Sequence, residues 1–493
     1  MPVHAWAMFW FCVIVAIKFS IIAAPPVWDT AMGVFPAAVW LSENNFDLLT
    51  LLHQDGWWGG GPNVHPLSLA TWIIALLLWT GVVPTTAFIV LHLLTFTLTA
   101  IGLALLMRIA ATLGFAPIPT FLTALFVLLC PLVLVQAGYM YTEIPVMVCS
   151  IAAVDNWLRR RINTAVGLVG LALFIKFSAV ALAAAMILLL VFGLRQNWRS
   201  NVIRATVLGV LVVLARILPD LIGRSVETAG NWGSPSLLLH QLLLRMQAIP
   251  DIFALLVLGV CGAVVFGLRS VAGAVSAGSA GTHQNQAVAL IMLTPILFFG
   301  AMLVGSLTGQ LVLPRYLVPI LPFALLSALI GARELGFSGG WQALLLAMVC
   351  GFFALNTNGR FYTPNYSSFS VVERTHAYRD FHRTKVDAIA AFASQPQHIP
   401  AYVTREIYYM VSNPKMGYLD SKRDQTYPVF RPPYRNWSLS DFPDEFILVR
   451  ASAIHGGRQI DRILEQALDQ DYLLVEQVFE ISGFSARVYH LRR

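Results

Sequence analysis

The sequence predicts a polytopic α-helical membrane protein that carries a small soluble α+β domain at its C-terminal end. Of the 493 residues, 57% are hydrophobic and 12% are charged, whereas soluble domains are about 45–50% apolar and about 25% charged. The charges are unevenly distributed, because 32 of the 57 lie in residues 356–493. We therefore predict a membrane-embedded body over residues 1–355 and a soluble domain over residues 356–493. This composition excludes a soluble globular protein, a disordered chain and a nucleic-acid-binding protein.

The body contains a series of apolar runs that approach the length of a membrane-spanning helix, which is about 20 residues. We predict about eleven spans on this basis. The first run lacks a basic segment before it and has no clear cleavage motif, so we interpret it as a retained helix and not as a signal peptide. The predicted spans cover residues 5–24, 85–107, 119–137, 141–158, 162–177, 178–194, 202–218, 251–268, 287–309, 311–332 and 341–355.

The position of a twelfth apolar run, residues 64–83, relative to the membrane is predicted from the distribution of charged residues in the loops. Residues 25–84 contain no Lys or Arg and hold four acidic residues, which predicts an extracytoplasmic loop. If residues 64–83 lie at the outer membrane surface without crossing, all nine loop arginines fall on the cytoplasmic side. The N-terminus is then cytoplasmic and the C-terminal domain extracytoplasmic. The alternative, in which residues 64–83 span, remains open. The nine are Arg108, Arg159, Arg160, Arg161, Arg195, Arg199, Arg204, Arg269 and Arg333.

The C-terminal domain shows helix and strand patterns in alternation. A helix is predicted over residues 371–393, and Ser482-Gly483 predicts a tight turn between the last two strands. No internal repeat is visible. The predicted strands cover residues 399–411, 445–451, 472–480 and 485–491.

Acidic and basic residues meet at the predicted outer interface of the body. Asp29 follows the first span, Glu143 begins a later one, and Lys176 and Arg315 lie at the same predicted level. A carboxylate can take a proton from an acceptor hydroxyl, and cations can stabilise a phosphate leaving group. The five cysteines all lie in apolar runs and form no metal-binding pattern. We therefore expect chemistry on a lipid-linked phosphate, and the sequence identifies no metal ligands and no cofactor site.

Five short motifs occur in a fixed order along the body. They are Trp28–Ala31, His65–Leu67, Thr142–Pro145, the Lys176 hairpin and residues 314–322. This order resembles the GT-C glycosyltransferases, in particular the branch with protein O-mannosyltransferases and the bacterial aminoarabinose transferase of lipid A. The resemblance covers residues 5–355. It implies a GT-C-like body, a polyprenyl-phosphate-linked sugar as donor, metal-independent reaction at the outer membrane face, and juxtamembrane helices within residues 25–84.

The resemblance also implies roles for individual residues. Asp29 is the expected base, although many relatives have a second acid where Thr30 stands here. Glu143 is expected to orient the acceptor or to assist the base. The expected donor-phosphate ligands are Lys176, Arg315, Arg216, Arg224 and Arg245, and the expected pocket residues are His65, Trp57 and Trp58. Structural alternatives remain for each: helix capping for the acids, and lipid-headgroup contacts or interfacial anchoring for the cations and aromatics.

These observations predict an inverting glycosyltransferase in the bacterial inner membrane. The acceptor is a glycolipid, a polysaccharide or a protein, and the sequence does not choose among them. Two alternatives share the substrate class: a transporter or flippase of lipid-linked sugars, and a polymerase or ligase of surface glycans. A transporter is expected to place its polar groups near the bilayer midplane between repeated halves. The sequence makes no prediction of oligomeric state.

Overall fold

The computed structural model describes most of the chain, in two units. The first unit comprises Met1–Phe19 and Leu93–Tyr366, and the second comprises Ser20–His92 and Ser367–Arg493. Residues 20–92 thus group with the C-terminal residues by their contacts, whereas the sequence placed them in the body. The described residues are 2–25, 30–48, 50, 69–138, 142–192, 194–221, 250–277, 283–307, 314–355, 377–421, 423–429, 437–451, 457–481 and 484–493.

The first unit is a bundle of apolar helices. The chain enters it through α1 (Val3–Lys18) and again through α4 (Pro84–Thr112), which begins in the second unit. The remaining helices are α5 (Pro117–Leu129), α6 (Pro131–Gln136), α7 (Glu143–Leu158), α8 (Ile162–Ile175), α9 (Val180–Phe192), α10 (Leu194–Leu221), α11 (Pro250–Ala277), α12 (His283–Leu307), α13 (Leu321–Glu334) and α14 (Gly339–Leu355).

Five helices within the described residues are long and apolar enough to cross a membrane. This confirms a polytopic helical membrane protein, while the number of eleven spans remains a prediction. Two predicted spans are interrupted. Run 119–137 divides at Pro131, which has no N–H to continue α5. The described part of run 311–332 begins with a 3-10 turn, Pro314–Leu317, before α13.

Helices α11 and α13 approach each other through small residues. The Ser327 hydroxyl donates a hydrogen bond to the Gly259 carbonyl at 2.6 Å. A Cβ added to Gly262 would stand 2.3 Å from the Ser327 carbonyl oxygen. Small residues allow this close backbone approach, which supplies the packing contacts that hold helices together in an apolar environment.

The second unit contains the helices α2 (Phe35–Glu43) and α3 (Leu69–Trp79), which pack against each other; their juxtamembrane position remains a prediction. The 11 residues of α3 extend roughly 16 Å at 1.5 Å per residue, about half of the hydrocarbon core. The described part of run 64–83 is shorter than a membrane span, and residues 64–68 lie outside the described residues, so the non-spanning placement of this run remains a prediction.

The second unit also contains a five-stranded mixed sheet in the order β2-β1-β3-β5-β4. Strand β1 (Ala401–Thr404) pairs in parallel with β2 (Thr426–Val429) and β3 (Glu445–Ala451). Strand β5 (Phe484–Arg492) pairs antiparallel with β3 and with β4 (Leu473–Ile481). Helices α15 (Ala377–Ala393), α16 (Arg405–Val411) and α17 (Gly457–Asp469) complete the domain. The predicted α+β class and the last three predicted strands are confirmed.

Two details of the sequence prediction are wrong. The strand predicted over residues 399–411 ends at Thr404, and the chain continues as α16, because two parallel neighbours in a sheet need a crossover connection. The sequence analysis also missed β2 and α17. Helix α17 has a readable signal, since Ile460, Ile463 and Ala467 recur at helical spacing and are buried in the domain core. For the predicted helix 371–393, residues 377–393 are helical and residues 371–376 lie outside the described residues.

Candidate functional site: a buried carboxylate with two cations

Glu143 lies at the centre of a polar cluster in the first unit. It is the first residue of α7, where the partial positive charge of the helix N-terminus favours a carboxylate. Its side chain is fully buried. The Thr142 hydroxyl donates a hydrogen bond to Glu143 Oε2 at 3.3 Å. A carboxylate without solvent needs such partners, because burying an unpaired charge is very costly.

Two cations reach the other oxygen of this carboxylate. Lys176 interrupts the helical path after α8 with an extended backbone (φ −161°, ψ 136°), and its Nζ donates to Glu143 Oε1. Arg315, in the turn Pro314–Leu317, places its Nε 3.2 Å from the same Oε1. The structure thus unites Glu143, Lys176 and Arg315, three residues that the sequence analysis selected from three distant segments.

The ring of Tyr316 forms one wall of this cluster. Lys176 Nζ lies 4.4 Å from the ring centroid, and Arg315 Cζ lies 5.7 Å from it. Both distances are within the range of cation–π attraction. The sequence analysis quoted the surrounding motif without selecting Tyr316, although a tyrosine next to a selected arginine is a visible signal.

Cations outnumber carboxylates among the described members of the cluster. Among the described residues that form it, one carboxylate faces two cations. The Arg315 side chain is 5% exposed and that of Lys176 15% exposed. In a poorly solvated environment, charge interactions are stronger than in water. The arrangement is therefore suited to bind an anion such as a phosphate.

Gln136 is a second unusual group close to these elements. It ends α6, a short helix that packs against both α7 and the turn Pro314–Leu317. Its side chain is fully buried, yet neither its Nε2 nor its Oε1 has a hydrogen-bond partner in the described part of the chain. A buried amide without partners costs about 1–3 kcal/mol. A ligand with hydroxyl or phosphate oxygens would remove this cost. The sequence analysis missed this residue, because a glutamine in an apolar run shows its lack of partners only in the folded chain.

The other selected residues cannot be placed in this cluster. Asp29, Trp57, Trp58, His65, Arg224 and Arg245 lie outside the described residues, and Arg216 belongs to α10 with a side chain that is not described. Within the described ranges, no group of three His, Cys, Asp or Glu side chains could hold a metal ion.

No protein-family model and no curated protein sequence matches this chain. Two solved structures of ArnT from Cupriavidus metallidurans, one in the apo state and one bound to undecaprenyl phosphate, align with it. Each alignment covers 98% of this chain and 98% of the other, at 12% identity and a TM-score of 0.49. ArnT is a lipid A aminoarabinose transferase of the GT-C fold, which is the branch that the sequence motifs resemble. A similarity at this level assigns no substrate or residue role, so the proposals below depend on the chain's own contacts.

Proposed function

We propose that this integral membrane protein is a glycosyltransferase. It moves a sugar from a polyprenyl phosphate to an acceptor hydroxyl at the extracytoplasmic face of the membrane. The observation that carries the proposal is the pair of cations, Lys176 and Arg315, held on one buried carboxylate within a bundle of apolar helices. The membrane bundle gives a polyprenyl chain an apolar environment, and the cations give its phosphate a counter-charge.

The proposed reaction is a single inverting displacement. The acceptor oxygen forms a bond to the anomeric carbon, and the bond from that carbon to the lipid phosphate oxygen breaks. The phosphate leaves with the electron pair, and Lys176 and Arg315 stabilise its charge. Asp29 takes the proton of the acceptor hydroxyl; this role comes from the sequence resemblance and from its position after the first span. Removing such a base typically costs about 10²–10⁴-fold in rate.

We assign Glu143 a positioning role in this reaction. Its Oε1 already faces two cations and its Oε2 accepts from Thr142, which leaves it poorly placed to take a proton from the acceptor. The carboxylate instead holds two mutually repelling cations close together. Its loss would misplace both cations, and a displacement of about 1 Å in a reacting group can cost about 10²-fold in rate.

Transfer assays on purified protein in liposomes test the proposal. The donors are radiolabelled sugars on undecaprenyl phosphate, and the label is followed into a membrane extract that supplies acceptors. We expect Lys176→Gln and Arg315→Gln each to lower kcat by about 10²-fold. Arg204→Gln is the control, because Arg204 bonds to Asn163 outside the cluster. Full activity of both cluster variants would contradict the phosphate role, and label that crosses the bilayer without transfer would support a flippase.

The role of Glu143 has a separate test. We expect Glu143→Gln to lower kcat without changing the pKa of the rate-limiting base in the pH–rate profile, and Glu143→Asp to restore part of the rate. Loss of the acidic limb of that profile in Glu143→Gln, where the rate falls as the base is protonated, would instead identify Glu143 as the base.

A further inference from the structure

A cavity in the second unit has the composition of a ligand site that the proposed transfer reaction does not use. It lies between α2, α16 and the loop that follows α16, with Pro428 of β2 at one side. Its volume is ≈ 330 Å³. Ligand pockets typically measure about 300–1,000 Å³, so this cavity suits one small ring and is too small for a long polymer segment. The side chains that matter for its chemistry are Trp40, Glu43, Tyr408, Tyr409, Ser412 and Asn413.

Aromatic side chains form much of the cavity wall. Trp40 comes from α2, and Tyr408 and Tyr409 come from α16. Tyr409 is 4% exposed, and burial raises the pKa of Tyr408 above its ordinary value. Tyr and Trp combine a flat apolar face with a polar edge. Such faces accept the C–H surface of a ring that also carries hydroxyl groups.

Polar groups at the same cavity can both donate and accept hydrogen bonds. Asn413 Nδ2 donates to Glu43 Oε1 at 3.3 Å, while Asn413 Oδ1 accepts from the Lys415 amide at 2.9 Å. Lys415 Nζ lies 3.2 Å from Glu43 Oε1. A carboxylate offers about four lone-pair positions, so Glu43 retains acceptor capacity after these contacts. These contacts also connect the loop after α16 to α2 and so fix the wall of the cavity.

The charge balance of the cavity disfavours an anion. Glu43 is neutralised by Lys415, and the described residues that line the cavity include neither Lys nor Arg. A phosphate would therefore face a carboxylate without a compensating cation of its own. A neutral ring with several hydroxyls fits the aromatic faces, the amide and the carboxylate at once.

We propose that this cavity binds one neutral sugar ring of the acceptor glycan. The assignment of the ring to an acceptor rests on the proposed glycosyltransferase function; the binding of a neutral sugar does not. The site would hold the acceptor through a ring other than the one that receives the new sugar, and it would raise the acceptor's affinity without taking part in the bond changes.

Sugar binding is tested on the full chain in detergent micelles by ligand-observed saturation-transfer NMR. The probes are the methyl glycosides of glucose, galactose, mannose, N-acetylglucosamine and arabinose, with inorganic phosphate and choline as separate arms. We expect at least one glycoside to bind, and we expect Trp40→Ala and Tyr408→Ala each to weaken that binding at least tenfold. Trp79→Ala is the matched control, because Trp79 belongs to the same unit, is 56% exposed and does not line the cavity.

Asn413→Ala provides a variant at the polar side of the cavity, in case the aromatic variants fail to fold. Its control is Glu476→Gln, which removes an ion pair with Arg487 at 3.0 Å elsewhere in the unit. We expect Asn413→Ala to weaken glycoside binding at least threefold and the control to leave it unchanged. Thermal unfolding of each variant identifies those that are folded.

The outcomes separate this inference from the proposed function. No glycoside binding by the folded wild-type protein, equal binding by folded cavity variants, or preferential binding of phosphate or choline would each overturn the sugar site. Glycoside binding that depends on Trp40 in a protein without transfer activity would retain the sugar site and contradict the transferase. With transfer established, a raised acceptor KM at unchanged kcat in Trp40→Ala assigns the ring to the acceptor, and an unchanged KM rejects that assignment.

Discussion

At the scale of single residues, burial decides which side chains can take part in chemistry. Glu143 and Gln136 both belong to apolar stretches, and both are fully buried. Glu143 has two cations and a hydroxyl as partners, whereas the amide of Gln136 has none within the described residues. The buried charge of Glu143 is compensated by these partners. The buried amide of Gln136 costs free energy, and a ligand that forms hydrogen bonds with it would remove that cost.

Replacing Gln136 should separate stability from activity. In Gln136→Met, a side chain of similar size removes the unpaired amide, so we expect an unchanged or slightly higher unfolding temperature. If the amide meets a substrate oxygen, transfer activity falls by about tenfold, which corresponds to one hydrogen bond of about 1.4 kcal/mol. Differential scanning fluorimetry and the donor-transfer assay measure the two effects. Lower stability together with full activity would identify a structural role.

His382 in α15 makes the free energy of unfolding depend on pH. Its Nε2 is buried without a hydrogen-bond partner in the described residues, and burial, with a smaller effect from Lys385, lowers its pKa from 6.5 to about 3. Below pH 6.5 the unfolded chain binds a proton that the folded chain excludes, so stability is present above this pH and is lost progressively towards pH 3.

We therefore expect the free energy of unfolding to fall by about 2 kcal/mol between pH 6.5 and pH 5. Chemical unfolding of the full chain, followed by a probe in the C-terminal domain, measures this change. His382→Gln should remove most of the slope, since glutamine does not titrate. An equal slope in wild type and variant would assign the pH dependence to other groups.

At the scale of elements, the α11–α13 contact depends on the absence of side chains. Gly262 has no room for a Cβ beside Ser327, whereas a Cβ on Gly267 of the same helix would meet nothing within 4 Å. The two glycines share a helix and differ in their surroundings, so they form a matched pair for mutation.

Gly262→Ala should destabilise the protein and Gly267→Ala should not. Overpacking typically costs about 1–3 kcal/mol, while alanine in place of a helical glycine with free space around its Cβ position gains up to about 1 kcal/mol from helix propensity. Thermal unfolding in detergent compares the two variants. Equal unfolding temperatures would show that the helices shift apart without cost.

The polar cluster also depends on how elements end. Lys176 reaches Glu143 from an extended residue between α8 and the next helical turn, and Arg315 reaches it from a 3-10 turn. In a straight helix, side chains point outward from the axis at fixed angles. Lys176 and Arg315 lie outside regular α-helix, so their side chains approach the Glu143 carboxylate in directions that a helical residue does not have.

At the scale of the whole molecule, the orientation in the membrane is the prediction with the widest consequences. The excess of arginine in some loops and its absence from residues 25–84 predict that this loop and the C-terminal domain face outside. The proposed reaction needs that orientation, because its acceptor and its base are placed at the extracytoplasmic face.

Thiol labelling tests this orientation in a variant without the five native cysteines. We expect Thr80→Cys and Ser440→Cys to react in intact cells with a membrane-impermeant maleimide, and Arg161→Cys to react only after permeabilisation. All three side chains are exposed in the structure, so accessibility to the reagent depends on the membrane side. Labelling of Arg161→Cys in intact cells would reverse the predicted orientation.

The sequence predicted the larger features because they depend on local composition. The division into an apolar body and a charged domain follows from counts, and strands 445–451, 472–480 and 485–491 follow from alternation. The strand predicted through residues 405–411 was wrong because a short apolar run fits a helix equally well. The topology of the sheet makes residues 405–411 a helix, because the parallel strands β1 and β2 need a crossover connection between them.

The sequence by itself determined that this chain is a helical membrane protein with a small α+β domain, and it selected the acids and bases that chemistry would need. Only the tertiary structure decided which of them meet. It paired Glu143 with Lys176 and Arg315, added Tyr316 beside them, left Gln136 without a partner, and enclosed a cavity between α2 and α16. The physical reason is range: hydropathy and strand alternation are properties of neighbouring residues, whereas ion pairs, burial and cavities depend on packing between distant segments.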